Sequence, residues 1–319
     1  MLGSEPVRLH NRAFALITFC FATIAQVVAQ DSNPAIEQSR LFPRTVPPTS
    51  GEVTADGIAL PAGESTSAGD GNFGAQQILK NDEKIPDLTV GGGVSLFYTS
   101  NVALTNDVER SDGFFVFDSS VNWTPRINSQ LQFQLGGGAS IFRYFDTSAL
   151  DFEDLGVGTG VTWMPPNAWG IAITGRYDFV ELLDKHSNQI LQDHEFSAAL
   201  QKIFVFGRSH ALTVALLGSA GISDPFAEQR DQIGFAVGYH LQLTRYLGSD
   251  IGYRHSWYFY NAGGRHDLNQ VVSFGLHYFI RPWATVNAFA SFANNQSNES
   301  AFEYNVFSGG GGLGLTIRF

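Results

Sequence analysis

Tyr304 to Phe319 reads YNVFSGGGGLGLTIRF, and its order decides how the rest of the chain is to be read. Counting back from the end, Phe319, Ile317, Leu315, Leu313, Gly311, Gly309 and Phe307 fall on one parity. Arg318, Thr316, Gly314, Gly312, Gly310 and Ser308 fall on the other and are polar or very small. A strand places successive side chains on opposite faces, so this stretch has one apolar face and one polar face. It is also long enough to cross a bilayer at a tilt, which takes roughly 9–11 residues. These features predict a strand of a transmembrane barrel that faces lipid on one side and an aqueous interior on the other.

Composition agrees. Apolar residues make up 44% of the chain and charged residues only 15%, with 34 glycines and 27 phenylalanines. Soluble domains usually carry about 25% charge. Beyond the N-terminal region no run of apolar residues is long enough for a membrane-spanning helix, so any crossing must be made by strands. The net charge of −11 excludes nucleic acid as the natural partner.

At the N-terminus, Arg8, His10 and Arg12 precede the apolar run Ala13 to Ala25 and the small-residue pattern Val27-Val28-Ala29. This predicts a secretory signal peptide over residues 1–29, cut between Ala29 and Gln30. Cys20, the single cysteine, lies inside it, which leaves the mature chain without disulfides or thiolate sites. Residues 30–86 hold Pro34, Pro43, Pro47, Pro48, Pro61 and Pro86 among Ser, Thr, Gly and acidic residues. They read as a flexible, disordered periplasmic segment whose functional reading is a plug or a partner-binding tail. Around Ala75 to Asn81 the segment admits a short helix.

From residue 87 to 319 the chain alternates in runs predicted as twelve strands: 87–102, 112–127, 129–145, 153–166, 169–184, 193–206, 210–225, 229–244, 247–260, 266–280, 282–297 and 304–319. Tight turns centred on Pro125-Arg126, Pro165-Pro166, Gly207-Arg208, Arg245-Tyr246 and Arg281-Pro282 alternate with longer polar loops. Short turns on one side and long loops on the other mark an all-β, antiparallel, up-and-down transmembrane barrel. An even strand count puts both ends on the short-turn side. Trp123, Trp163, Trp169 and Trp283 lie near short turns, whereas Trp257 to Tyr260 lie at the far end of their strand. Two aromatic girdles are expected at the two bilayer boundaries.

Parity also separates lumen from lipid. The inward set has a charged side: Asp118, Arg176, Asp178, Glu195, His240, Asp250, Arg254 and His277. It has a glycine side as well: Gly91, Gly93, Gly136, Gly138, Gly310, Gly312 and Gly314. Two readings of the glycines stay open. They form a smooth wall along which a backbone can lie, or they ease curvature while inward charges such as Arg176 and Asp178 pair with one another.

No nucleophile motif, metal-ligand spacing or phosphate loop is present, so neither catalysis, metal nor cofactor is expected. His255 is the one residue to weigh for lipid chemistry, because it is predicted to face outward, but no outward serine adjoins it on its strand.

Leu96 to Asp118 (LFYTSNVALTNDVERSDGFFVFD) resembles the opening hairpin of bacterial outer-membrane β-barrel porin families. The likeness lies in Tyr98, in Ser100-Asn101-Val102 and in Ser111-Asp112. Tyr304-Asn305-Val306 and the glycine–leucine alternation ending in Arg-Phe resemble the last strand of that group, and Phe319 resembles its assembly signal. The resemblance implies an outer-membrane location, contact with outer-membrane lipid and recognition by the barrel assembly machinery. It implies no catalytic residues. Two functions follow as expectations: a porin-like channel for small hydrophilic solutes, or a non-conducting barrel of an envelope export complex that meets a periplasmic or lipoprotein partner through residues 30–86.

Overall fold

A computed structural model describes residues 33–41, 87–106, 109–206 and 209–319. Twelve strands follow one another: β1 (Leu88–Thr99), β2 (Asp112–Trp123), β3 (Leu131–Tyr144), β4 (Phe152–Trp163), β5 (Ile171–Asp184), β6 (Gln189–Phe206), β7 (His210–Asp224), β8 (Arg230–Thr244), β9 (Leu247–Tyr260), β10 (His266–Arg281), β11 (Ala284–Ser297) and β12 (Tyr304–Arg318). Each pairs antiparallel with its sequence neighbours, and β12 closes onto β1 in a continuous register from Thr89↔Arg318 to Thr99↔Ser308. Closure leaves no strand edge unpaired, which is the condition for placing a sheet in lipid. Phe319 extends the seam: its N–H donates to the Leu88 carbonyl at 2.9 Å.

The outward parity is apolar around the ring. Leu96, Phe117, Leu155, Leu216, Ile233, Ile251 and Leu315 are each between 42 and 57% exposed. A continuous apolar surface of this kind is satisfied by acyl chains rather than by water. Trp123, Trp163, Trp169 and Trp283 are exposed at the short-turn end, and Trp257 is exposed toward the loop end.

Strand ends fall within about four residues of the predicted ones, and one of the differences is instructive. β6 begins at Gln189, so the connection expected to reach residue 193 is only a tight turn. Asp184 explains it: Oδ1 accepts from the backbone N–H of His186 at 2.7 Å and of Asn188 at 2.8 Å, and Oδ2 accepts from the Asn188 amide at 2.9 Å. Ser187 takes φ 63°. The carboxylate builds the turn by itself, a feature that hydropathy patterning does not register.

Among the described residues one α-helix, α1 (Pro34–Leu41), accompanies the barrel. Pro34 occupies a first-turn position where its missing N–H costs nothing, and Glu37 and Arg40 lie toward the helix ends whose dipole each favours. An eight-residue helix is not stable alone in water, so its contacts must hold it. The segment read as flexible, with room for a helix only at Ala75 to Asn81, therefore contains a folded element near its start. The signal peptide and the helix at Ala75 to Asn81 lie outside the described residues.

The lumen and its internal helix

α1 lies inside the barrel at the loop end. Ala35 and Ile36 are 2% and 1% exposed, and pack into a cluster with Val102, Phe114, Phe142, Phe152, Leu182 and Leu191. The wall is aromatic: Phe142 and Phe152 stack at 4.2 Å between ring centres, and Phe97 and Phe114 at 5.5 Å. These residues are the inward members of β1 to β6 near their loop ends. Leu41 packs against a second cluster that includes Leu104, Tyr304 and Val306. Apolar side chains inside a barrel face water unless something covers them, and α1 covers them.

Gln38 locks the register of the helix. Its Nε2 donates to the carbonyls of Asn101 at 3.2 Å and Val102 at 3.0 Å. Asn101 is itself fully buried, donating to Thr105 O at 2.7 Å and Asn305 O at 3.3 Å. Ser100 crosses the seam, with its N–H donating to Phe307 O at 2.8 Å and its Oγ accepting from Phe307 N at 2.9 Å. The Ser100-Asn101-Val102 motif thus joins the first strand to the last and seats the helix.

The opposite face of α1 is ionic. Arg40 donates to Glu37 Oε1 at 3.1 Å, to Glu228 Oε2 at 3.0 Å and to Glu228 O at 3.1 Å. Tyr260 donates its hydroxyl to Glu37 Oε1 at 3.2 Å, and Arg265 stands 3.7 Å from the same oxygen. Arg265 is paired with Asp267, Nε to Oδ1 at 3.0 Å, and lies over the rings of Tyr260 and Phe302. Burial alone would push the Glu37 carboxyl up, but Arg40, Arg230, Arg265 and the Tyr260 hydroxyl together hold it down at about 2. Burial pushes the Glu228 carboxyl up, with Arg40 opposing and Glu37 adding to the rise.

Three of the residues named from sequence converge lower in the lumen. Asp250 meets His240 Nδ1 at 2.7 Å through Oδ1 and His277 Nε2 at 2.8 Å through Oδ2. His277 Nδ1 in turn meets Asn287 Oδ1 at 2.9 Å. Register explains this: Asp250 pairs directly with His240 on β8 and with Gly275 on β10, two residues from His277. Arg176 and Asp178 pair on β5, Nε to Oδ1 at 2.8 Å. Asp118 stands apart on β2, where it adjoins Gly93, and Glu195 pairs in register with Asp178. Arg254 lines a small cavity together with Glu37, Arg40 and Leu41 of α1.

The lumen glycines do not form a bare wall. A Cβ at Gly93 would come within 2.8 Å of Asp118 Oδ1, and one at Gly91 within 3.3 Å of Ser120 Oγ. A Cβ at Gly136 would strike Asn122, and one at Gly312 would strike Ser95. At Gly310 it would meet Leu96 O and the Phe97 ring, the latter at 2.6 Å. Only Gly314 is roomier, its nearest neighbour being Asn287 Nδ2 at 3.6 Å, while Gly138 pairs with Ser120 and Gly156 across the sheet. The missing Cβ atoms make room for side chains folding over from adjacent strands. A smooth track for a passing chain is not what these glycines build.

Sequence reasoning missed Glu37, Gln38, Arg40, Arg230, Tyr260 and Arg265 as a group. The available signals were Pro34 followed by Glu37 and Arg40 at helical spacing, and a buried-type Asn101 in the first hairpin.

His255 faces outward, stacked on Phe235 at 5.2 Å and edge-on to Trp257 at 4.2 Å, with Nδ1 3.2 Å from the Tyr253 hydroxyl. That hydroxyl donates to Gln270 Oε1 at 3.1 Å. Among the described residues no group of His, Cys, Asp and Glu is arranged to hold a metal ion.

No family model matches the chain, and no curated protein matches it. Solved structures do. An outer membrane channel of the COG4313 group from Pseudomonas putida F1 aligns with a TM-score of 0.50 at 11% identity, over 75% of this chain and all of that one. A bacterial polysaccharide outer membrane secretin aligns at 0.41 with 10% identity, over 72% of this chain and 98% of that one. LpxR from Salmonella typhimurium aligns at 0.41 with 8% identity, over 71% of this chain and all of that one. At such identities the first likeness defines a class, and the class is the fold: an outer-membrane β-barrel. The COG4313 structure is that of an outer membrane channel, and its fold fits the resemblance seen in the first hairpin and the last strand.

Proposed function

We propose that this chain is a bacterial outer-membrane channel for small hydrophilic solutes, with α1 occupying the loop end of its own lumen. The observation that carries the reading is the contrast between the two faces of the sheet. The outside is an apolar belt, while the inside carries Asp118, Arg176, Asp178, Glu195, His240, Asp250, Arg254 and His277. A barrel needing only to be anchored gains nothing from a polar interior; a solute path does. The COG4313 structure, itself an outer membrane channel, supports the same reading.

In this reading the short turns and both chain ends are periplasmic, and α1 narrows the outer mouth. The barrel has no catalytic role: His255 is held among Phe235, Tyr253 and Trp257 as an interfacial polar residue. Planar-bilayer recording of the purified protein is the test. The full chain is expected to show low or intermittent conductance, and a chain lacking residues 34–41 a larger and steadier one. A barrel that stays closed after that deletion overturns the proposal.

A further inference from the structure

Both imidazoles of the lower lumen are seated for two hydrogen bonds each. His240 turns Nδ1 to Asp250 Oδ1 at 2.7 Å and Nε2 to Gln242 Oε1 at 3.4 Å. Gln242 is held that way round because its Nε2 donates to Thr244 O at 2.7 Å. His277 turns Nε2 to Asp250 Oδ2 at 2.8 Å and Nδ1 to Asn287 Oδ1 at 2.9 Å. A neutral imidazole has one N–H to donate, whereas an imidazolium has two. Each ring therefore has an acceptor in place for the proton it would gain. Two glycines make the room: a Cβ at Gly248 would stand 3.3 Å from His240 Cε1, and one at Gly275 would stand 3.3 Å from His277 Nε2.

The cluster is open to the lumen, its side chains 26% (His240), 37% (His277) and 38% (Asp250) exposed. It stands near the short-turn ends of β8, β9 and β10, at the other end of the barrel from α1. The surrounding strands bring it no second carboxylate. On β7 His240 pairs with Ala211, while His210 of that strand bonds Tyr239 on the outer face. β11 carries no charged residue, and β12 carries only Arg318 at its end. The charges closest along the chain to the three residues are Arg245, Arg254 and Arg281, which stay cationic at any working pH. One carboxylate between two imidazoles makes the local charge follow pH: negative with both rings neutral, zero with one protonated, positive with both. We infer that His240, Asp250 and His277 form a proton-operated charge selector in the lumen wall, which favours cations in neutral or alkaline medium and anions in mildly acidic medium. The inference rests on the channel reading and adds a control to it.

Reversal potentials of the purified protein in many-channel bilayers under a KCl gradient test it, alongside NMR titration of the histidine rings in detergent. Between about pH 8 and about pH 5, where imidazole changes charge, the potassium-to-chloride permeability ratio should fall about threefold or more. This window stays above the range in which Glu37 takes up a proton. The double variant His240→Asn, His277→Asn should lose the pH-dependent part. His194→Asn should keep it, because that imidazole meets the Tyr177 hydroxyl at 2.8 Å on the outer face. Asp250→Asn should uncouple the titrations of the two rings, which share one carboxylate in the native chain. Heat-modifiable gel migration identifies variants that retain the barrel. A pH dependence unchanged in the double variant overturns the selector, as do ring titrations that ignore Asp250→Asn. Absence of conductance at every pH overturns the channel reading, and the coupled protonation of the cluster then stands or falls on the NMR titration alone.

Discussion

Arg40 and Glu228, 188 residues apart in the chain, meet inside the barrel through two hydrogen bonds, one to the carboxylate at 3.0 Å and one to the backbone carbonyl at 3.1 Å. Both side chains are almost completely buried, 4% and 3% exposed. A pair this deep favours the seated helix because losing one member strands the other without water.

Removing one partner should therefore release α1. Breaking a buried pair costs about 3–5 kcal/mol. A cysteine placed at Ser39, which is 2% exposed, should react with maleimide roughly two to three orders of magnitude faster in Arg40→Ala than in the otherwise native chain. An unchanged labelling rate would show that the apolar contacts of Ala35 and Ile36 suffice.

Gln38→Ala leaves the Asn101 and Val102 carbonyls without their side-chain donor. Two lost hydrogen bonds are worth about 1–3 kcal/mol together. The same labelling assay should show an intermediate rise, and the helix-dependent reduction of conductance should weaken in step with it.

Acid should unseat the helix. The seated state holds the Glu37 carboxyl at about 2, below its ordinary 4.5. A group lowered in this way contributes its full share above 4.5 and loses it as pH falls toward 2. Glu228, raised by burial, runs the other way and contributes most below its ordinary pKa. Arg40, Arg230 and Arg265 stay charged across the range and Tyr260 stays neutral. Labelling of Ser39→Cys after brief acid exposure should rise only below about pH 4.5, and Glu37→Gln should abolish the acid-dependent part.

The glycines make a contrast that can be measured. Gly158→Ala would drive a methyl into the Arg176–Asp178 pair, whereas Gly175 has nothing within 4 Å of the corresponding position. Overpacking costs about 1–3 kcal/mol. Gly158→Ala should lower the temperature at which the barrel loses its heat-modifiable migration, and Gly175→Ala should not. Equal effects would mean that the glycines act through strand curvature instead.

Asp250 bridges His240 and His277 in the lumen wall. Asp250→Ala removes a fixed negative charge from the path and should shift the reversal potential in a salt gradient toward anion preference. No shift would place the path away from β8 to β10.

Much of the barrel was legible because a half-buried strand writes its two faces into alternate positions. The twelve strands and the sorting of tryptophans both follow from that period. Convergence was not legible: that Asp250 lies between two imidazoles depends on the register of three strands. The helix was hidden for a different reason. Eight residues with three aliphatic side chains, set among prolines and serines, carry no amphipathic signal of their own. What makes Pro34 to Leu41 helical is a wall of phenylalanines contributed by strands that begin more than fifty residues later. The glycine tract kept two readings open for the same reason, since parity says which way a residue faces and nothing about what leans over it.

The place of α1 in the chain has a temporal consequence. The helix is synthesised before any strand, yet its seat is made of Val102 after β1, Glu228 before β8, Tyr260 at the end of β9, and Tyr304 and Val306 on β12. Asn101, which receives Gln38, is itself held by the backbone of Asn305 across the seam. Until the last strand has found the first, that seat does not exist. Docking of α1 is thus a terminal event in biogenesis, and an occupied lumen reports that the ring has been completed.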